Sequence, residues 1–314
     1  MATHALRRIL IAIPTLLFIS LVVYSVLAFA PGDPLSNLAG STDIPIEVRE
    51  NIRKQFGLDQ PVYVRYVKWL AAYVQGDWGY SFGSRIPAIT LISLRIPTTL
   101  WVIGAAYIIA ILIAIPLGVM TAVRQYTVFD HISTGLSFVG FSLPTFFTGV
   151  LLIILFSVKL GWLPMVYNQQ VTDPVDWIKQ AIMPIAVLGL LQAATLNRYV
   201  RASMLDNLNQ DYARTARAKG LADHIVVTRH VLRNALVPVV TLIALQLPTV
   251  FTGAVVTEQI FRVPGIGSLL ISSIQNNDTP VIMAIVMVFA ILVVFFTLVA
   301  DLLYGVLDPR VRYR

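Results

Sequence analysis

Long apolar runs without any charged side chain dominate the pattern of this chain. A helix rises about 1.5 Å per residue, so crossing about 30 Å of hydrocarbon takes about 20 apolar residues. Stretches of about 18 or more residues that lack Asp, Glu, Lys and Arg therefore predict membrane-spanning helices. Six stretches meet this condition: 9–32, 96–123, 132–158, 180–197, 234–257 and 279–300.

Two other interpretations of such runs fit this sequence less well. The runs would suit the core of a soluble helical protein, but six of them leave almost no amphipathic helix to cover that core. The first run, which follows Arg7 and Arg8, also has features of a secretory signal peptide. It is too long for a typical signal sequence and ends at Pro31 without a small-residue cleavage site.

Composition agrees with a membrane protein. Hydrophobic residues make up 57% of the chain and charged residues 12%, whereas soluble domains have about 45–50% and about 25%. The absence of Cys excludes disulfides, thiol catalysis, iron–sulfur clusters and zinc–thiolate sites. We predict an all-α integral membrane protein with six transmembrane helices.

The distribution of basic residues predicts the orientation. Six spans place both termini on one side, and that side carries 13 of the 23 Lys and Arg residues. The short loops of the other side hold Lys159, Lys179 and Arg262. The segment 33–95 is also basic, but long segments cross the membrane largely regardless of charge. We therefore predict cytoplasmic termini, and attraction to anionic lipid explains the net charge of +7 without a nucleic-acid partner.

The chain divides into two predicted regions. Residues 1–95 hold the first span and an extracytoplasmic segment with interfacial helices, including a helical patch at 47–56. Residues 96–314 hold the other five spans as a core domain. The aromatic residues of the outer segment suit either a helix on the outer leaflet or a ligand-contacting face. These residues are Tyr63, Tyr66, Trp69, Tyr73, Trp78 and Tyr80.

The inner loop 198–233 carries the most informative local pattern. Leu205, Leu208 and Tyr212 follow amphipathic helical spacing. Asp211 is a suitable N-cap, and Gly220 suits the left-handed residue just after a helix. These signals predict a short helix over 212–219, about 12 Å long.

This short basic helix has two possible roles. It is either a helix on the lipid surface or a docking element for a cytoplasmic partner. Ala213, Ala216 and Ala218 favour the partner, because small residues permit close backbone approach and membrane-surface helices prefer bulky side chains.

The chain lacks the residues of a catalytic or metal site. The Lys219-Gly220 pair is not part of a phosphate-binding loop, so any ATP would be hydrolysed elsewhere. All four His residues lie outside the predicted spans, which leaves no base near Ser142 and no metal site. We expect no catalytic residue and no bound cofactor.

An ion-coupled secondary transporter is one function to consider for a helical membrane protein without a catalytic site. Such carriers usually keep ionisable groups inside the bilayer, and the six predicted spans contain none. Coordination of an ion by backbone carbonyls would escape this test. A membrane enzyme is a weaker alternative, because the catalytic residues are missing.

Polar residues and prolines within the spans are candidates for a pathway or gate. Hydroxyl and amide side chains there either bond between helices or line a pore. Proline can kink a span beside them. The candidates are Pro144, Thr145, Gln192, Thr241, Gln246, Pro248, Thr249 and Thr252.

Residues 211–221, followed by 230–238, closely resemble the cytoplasmic "EAA" loop of ABC importer permeases, in the form of the dipeptide/oligopeptide/nickel group. The segments 31–34, 76–81, 264–267 and 301–310 are also similar to that group, and the resemblance extends over essentially the whole chain. This chain departs from the general EAA pattern at two positions. Arg214 replaces the acidic residue of that pattern, and Thr215 replaces the residue next to it.

The resemblance implies a type I ABC importer permease bundle in a bacterial or archaeal cytoplasmic membrane, which translocates short peptides. It implies a second homologous permease subunit, two ABC ATPase subunits that bind ATP and Mg, and an extracytoplasmic substrate-binding protein. The coupling helix would be 213–220, and Pro264, Gly265 and Gly267 would form an outer-mouth loop. The residues assigned to ATPase coupling are Asp211, Tyr212, Ala213, Arg214, Thr215, Ala216, Arg217, Ala218, Lys219, Gly220 and Leu221.

Overall fold

The computed structural model describes residues 2–29 and 59–307. The predicted helical patch at 47–56, the motif at 31–34 and the last residues of the motif at 301–310 lie outside these ranges. The described chain is built from helices. Two π-helical turns, Ile153–Lys159 and Val226–Val231, directly adjoin α-helices. The helices are α1 (Ala2–Phe29), α2 (Val62–Val74), α3 (Ala88–Val123), α4 (Val128–Ser142), α5 (Thr145–Leu152), α6 (Pro174–Leu208), α7 (Asp211–Ala218), α8 (Asp223–Ile225), α9 (Leu232–Phe261), α10 (Ile266–Gln275) and α11 (Thr279–Leu307).

The predicted all-α membrane fold is confirmed. Among the described residues, five helical segments are long and apolar enough to cross a membrane. They are Leu10–Phe29, Ala88–Val123, Pro174–Leu208, Asp223–Pro248 and Thr279–Leu302. Two pairs of shorter helices raise the number to seven if each pair is one span. The count of six spans and the cytoplasmic termini stay predictions.

Several helices extend well beyond the charge-free runs. Helix α3 has 36 residues and α6 has 35, which corresponds to more than about 50 Å each at 1.5 Å per residue. The sequence predicted 96–123 and 180–197 as the membrane-spanning parts of these helices. Both helices continue past those charge-free runs, because charged residues are disfavoured in hydrocarbon and not in a helix.

The third predicted span, 132–158, is not one straight helix. Helix α4 ends at Ser142, α5 begins at Thr145, and the two segments are bent by 106°. Pro144 has no N–H to donate and disfavours helical backbone at the residue before it. Leu143 is accordingly extended, with φ −81° and ψ 126°. The predicted kink at Pro144 is confirmed as a complete break of the helix.

Contacts between residues divide the described chain into two compact units. The first comprises residues 2–5, 98–264 and 295–307. Its helices approach closely where α3 or α6 has glycine: a Cβ at Gly118 would lie 2.6 Å from the Val200 side chain, and one at Gly189 would lie 3.3 Å from the Ala106 carbonyl oxygen. Small residues at such crossings are typical of helices packed in membranes.

The second unit comprises, among the described residues, 6–29, 59–97 and 265–294. An aromatic column joins α1 to α2, with the Tyr24 and Tyr66 rings 5.4 Å apart and Tyr73 stacked on Trp78 at 4.9 Å. Burial raises the pKa of Tyr73 to about 12, so its hydroxyl stays neutral. Four of the six aromatic residues therefore pack against other rings, while Tyr63 is 72% exposed and Tyr80 is 59% exposed.

A buried carboxylate fixes the loop before α3 in the same unit. Asp278, which is 6% exposed, accepts hydrogen bonds from the Ser81 hydroxyl and from the Phe82 backbone N–H. The side chains of Ala88 and Ile92 pack nearby with Val281 in an apolar cluster. The segment 76–81, noted for its family resemblance, thus ends in a buried hydrogen-bonded turn.

Candidate functional site: the inner loop and its short helix

A single short helix forms the centre of the inner loop. Helix α7 covers Asp211–Ala218, close to the predicted 212–219. Gln210 is the N-cap residue, and its side chain makes no capping hydrogen bond. The prediction of Asp211 as N-cap was therefore wrong by one residue. A carboxylate in the first turn still favours the helix through the dipole.

The end of α7 forms the predicted left-handed turn. Gly220 has φ +80°. Its N–H donates to the Arg217 carbonyl at 2.9 Å, and the Leu221 N–H donates to the Ala216 carbonyl at 3.3 Å. This pair of bonds is the Schellman motif, which satisfies carbonyls at a helix end. The turn therefore fixes where the helix stops and where the chain leaves it.

The alanines of α7 do not all face outward. Ala213 is 0% exposed and Ala216 is 6% exposed. Both pack into an apolar cluster of this chain that includes Ala122 of α3, Met204 of α6 and Val231 of the π-helical turn before α9. The argument that these two alanines allow close approach of a partner was wrong, because their small size allows α7 to lie close to its own bundle.

The outward face of α7 is polar. The side chain of Asp211 is 99% exposed and that of Arg214 is 71% exposed, with 4.0 Å between their nearest charged atoms. Thr215, Ala218 and Lys219 are also exposed. The departure from the general EAA pattern at Arg214 and Thr215 therefore lies on the exposed face of α7, away from its packed face.

Side-chain hydrogen bonds brace the loop from both sides. The Arg217 guanidinium donates to the Asp223 carboxylate at 3.0 Å and to the Leu208 carbonyl at 3.3 Å. The Tyr212 hydroxyl donates to the Asn207 side chain at 2.7 Å. These bonds connect α7 to the end of α6 and to the start of α8. No local pattern in the sequence predicts this bracing.

A buried ion pair near the loop was also missed. The Arg201 guanidinium on α6 donates two hydrogen bonds of 2.8 Å to the Asp130 carboxylate on α4. The two residues are 71 positions apart, so no local pattern connects them. The Thr127 hydroxyl accepts a bond from the Asp130 backbone N–H at 3.3 Å. Thr127 lies three positions before Asp130, and a hydroxyl residue at this spacing before an acidic residue indicates the start of a helix.

Among the side chains that the structure describes, Thr145 is the one residue of the predicted pathway set that lines the cavity between α3, α4, α5 and α6. Thr145 follows the break at Pro144, and this cavity has a volume of about 460 Å³. Gln192 is buried on α6, and the Thr241 hydroxyl donates to the Val237 carbonyl of its own helix at 3.3 Å. Gln246 and Pro248 are half-buried in α9, which also contains Thr249 and Thr252. Their role in a pathway stays a prediction.

The predicted outer-mouth residues lie around the start of α10. Gly265 is the N-cap residue of that helix. Pro264, Gly265 and Gly267 are all buried. The predicted outer-mouth loop is therefore short, because the chain enters a ten-residue helix at Ile266.

Helix α9 extends past the predicted span and includes an acidic residue. Glu258 is 2% exposed, and its carboxylate accepts a hydrogen bond from the Thr99 hydroxyl at 2.7 Å. The statement that the spans lack ionisable groups holds for 234–257 and not for the whole helix. A hydrogen-bonded buried carboxylate is compatible with a structural role.

Two family patterns together cover almost the whole chain. Residues 1–103 match the N-terminal pattern of binding-protein-dependent transport system membrane components. Residues 114–313 match the pattern of the binding-protein-dependent transport system inner membrane component.

Relatives match over their full length. The oligopeptide transport system permease protein AppB of Bacillus subtilis is 43% identical over 317 residues, with 100% of both chains covered. The glutathione transport system permease protein GsiC of Escherichia coli K12 is 38% identical over 314 residues, also with 100% of both chains covered.

Solved structures support the fold. The MetNI methionine ABC transporter, in inward-facing conformations, matches with a TM-score of 0.57 and 17% identity, over 70% of this chain and 97% of that chain. An amino acid ABC transporter crystallised with histidines matches with a TM-score of 0.53 and 13% identity, over 69% and 94% of the two chains. From its sequence patterns and full-length relatives, this chain belongs to the family of binding-protein-dependent transport system inner membrane components, as a multi-pass permease subunit of an ABC transporter.

Proposed function

We propose that this chain imports short peptides as one of two permease subunits, driven by two ATPase subunits and supplied by an extracytoplasmic binding protein. The oligopeptide and glutathione systems of its relatives support a peptide-like cargo. ATP and Mg bind to the partner ATPases, and this chain supplies the moving pathway. Its localisation is the cytoplasmic membrane of a bacterium or archaeon.

The geometry of α7 is the observation that carries this proposal. The helix presents one polar face outward and packs its other face on residues of α3, α6 and the segment that leads into α9. A force on the outward face is therefore passed to three spans at once. ATP binding draws the ATPases together, α7 follows them, and the spans tilt to open the pathway outward. Hydrolysis reverses the movement.

Site-specific labelling tests whether α7 docks on an ATPase. The chain has no Cys, so a single introduced thiol is unambiguous. A thiol at exposed Ala218 should lose reactivity toward maleimide when the ATPase subunits bind. A thiol at Tyr126, which is 82% exposed on another turn of the same unit, serves as the control and should stay reactive. Equal protection at both positions, or none at Ala218, would contradict docking through α7.

Reconstitution tests the transport function itself. The complex of both permeases and the ATPases in proteoliposomes should accumulate a short peptide in the presence of ATP and the binding protein. An ATPase variant that cannot hydrolyse ATP should abolish uptake. Uptake by this chain alone under an ion gradient would instead support a secondary transporter.

A further inference from the structure

Helix α4 is joined to α6 at three levels along its length. At one end, Asp130 and Arg201 form the doubly hydrogen-bonded ion pair. The Asn197 amide then donates to the Ser137 hydroxyl at 2.8 Å. Further along, a Cβ at Gly140 would lie 3.2 Å from the Cβ of Ala194. The two helices are therefore in close contact from the start of α4 to the break at Pro144.

The ion pair is the strongest of these connections. The Asp130 side chain is 4% exposed and that of Arg201 is 27% exposed. The carboxylate also accepts bonds from the Tyr126 backbone N–H at 3.1 Å and from the Thr134 hydroxyl at 3.3 Å. A charge held in such a fixed set of donors resists reorientation. Tyr126 has φ +59°, so the turn before α4 is itself held in a restricted conformation.

The position of the pair connects two parts of the molecule that the proposed mechanism must link. Arg201 lies ten residues before Asp211, which is the first residue of α7. On the other side, Asp130 lies at the start of the helix that ends at the break before Pro144. A movement of α7 reaches α6 directly through the chain, and the contacts between α6 and α4 carry it to the helix that ends at the break.

We propose that the Asp130–Arg201 pair is a clamp that makes α4 move with α6, so that displacement of α7 by the ATPases reaches the broken span at residues 142–145. Asp130 and Arg201 are positioning residues in this proposal and contact no cargo. The clamp rests on the proposed function, because it has a role only if α7 is driven by ATPase subunits.

Three variants separate a clamp from a merely structural contact. Asp130→Asn and Arg201→Gln each leave one buried partner unmatched, and both should lower the thermal stability of the complex. The double variant D130N/R201Q removes both charges and should recover stability. Its transport per ATP hydrolysed should nevertheless stay reduced by about tenfold, within the range by which residues between two sites change their coupling. Basal ATP hydrolysis should stay close to that of the unmodified complex.

A matched control uses another ion pair, which lies within helix α6. Lys179 contacts Asp176 at 3.0 Å, and both side chains are about half exposed. Asp176→Asn should change neither stability nor transport per ATP, because an exposed pair contributes little.

A covalent link between the helices provides the rescue. Cys residues at Gly140 and Ala194 would have Cβ atoms 3.2 Å apart, so a shift of a few tenths of an ångström brings them into the range of about 3.5–4.5 Å that a disulfide requires. In the double variant D130N/R201Q, oxidation of this Cys pair should restore transport per ATP, and reduction should abolish the rescue. Two results would overturn the clamp: normal transport per ATP in D130N/R201Q, or loss of transport when the pair is oxidised in the otherwise unmodified chain. Failure of the unmodified complex to transport peptide with ATP would instead refute the proposed function.

Discussion

Replacement of Gly220 by Val tests the rigid end of α7, the proposed coupling helix. Gly220 has φ +80°, and an added Cβ would meet no atom within 4 Å. The effect of the substitution is therefore backbone strain alone, without a steric clash. An L-residue in left-handed backbone costs about 1–2 kcal/mol. A β-branched residue such as Val lies at the upper end of this cost.

This magnitude is large for a local turn. A change of 1–2 kcal/mol alters an equilibrium about 5–30-fold, here the one between the Schellman turn and a frayed end of α7. The bonds at stake are those from Gly220 to Arg217 and from Leu221 to Ala216. We expect transport to fall in proportion to the loss of the ordered turn, while membrane insertion and complex assembly remain.

The assay compares peptide uptake, ATPase stimulation and membrane content for three variants. Gly220→Asn should stay close to the original activity, because Asn tolerates left-handed backbone better than other side chains. Gly161→Val is the matched control: Gly161 has φ +65° and equally open surroundings but lies outside the inner loop. If Gly220→Val retains both transport and ATPase stimulation, the assignment of this loop to coupling is wrong.

Two further predictions follow from burial. Ala216→Leu should lower the melting temperature of the purified complex, because overpacking a filled site costs about 1–3 kcal/mol, whereas Ala218→Leu on the exposed face should not. In the second unit, Asp278→Ala should destabilise the protein by about 1–3 kcal/mol, because it leaves the Ser81 hydroxyl without its buried acceptor. Faster proteolysis of the loop 76–87 would be the direct measurement, with Asp59→Ala, at an exposed carboxylate outside this loop, as the control. An unchanged rate for Asp278→Ala would contradict the assigned role.

Local chemistry explains which features of the loop could be predicted from the sequence. Gly220 at the end of a short amphipathic segment required a left-handed residue whatever surrounded it, and the structure has one there. Pro144 likewise interrupts a helix by its own covalent geometry. The size of that interruption, 106°, depends on how α4 and α5 pack on other helices, and the sequence therefore predicted a kink only.

Features that depend on distant residues could not be predicted in this way. The inward orientation of Ala213 and Ala216 is decided by apolar residues of α3, α6 and the segment before α9, which only the folded chain brings together. The partners Asp130 and Arg201 are far apart in sequence, and each alone looks like an ordinary charged residue beside a span. The family resemblance indicated this loop as the candidate coupling site, but it gave no information about which face of the helix is exposed.

The break at Pro144 also bears on how the chain enters the bilayer during synthesis. Helix α4 has 15 residues, about 22 Å at 1.5 Å per residue, which is shorter than the hydrocarbon thickness of about 30 Å. Such a segment gains too little free energy from partitioning into the bilayer alone. The backbone N–H and C=O groups at its end also find no hydrogen-bond partner in lipid. We expect this part of the chain to leave the translocon only together with α6, the partner made later, so that biogenesis of the broken span is cooperative.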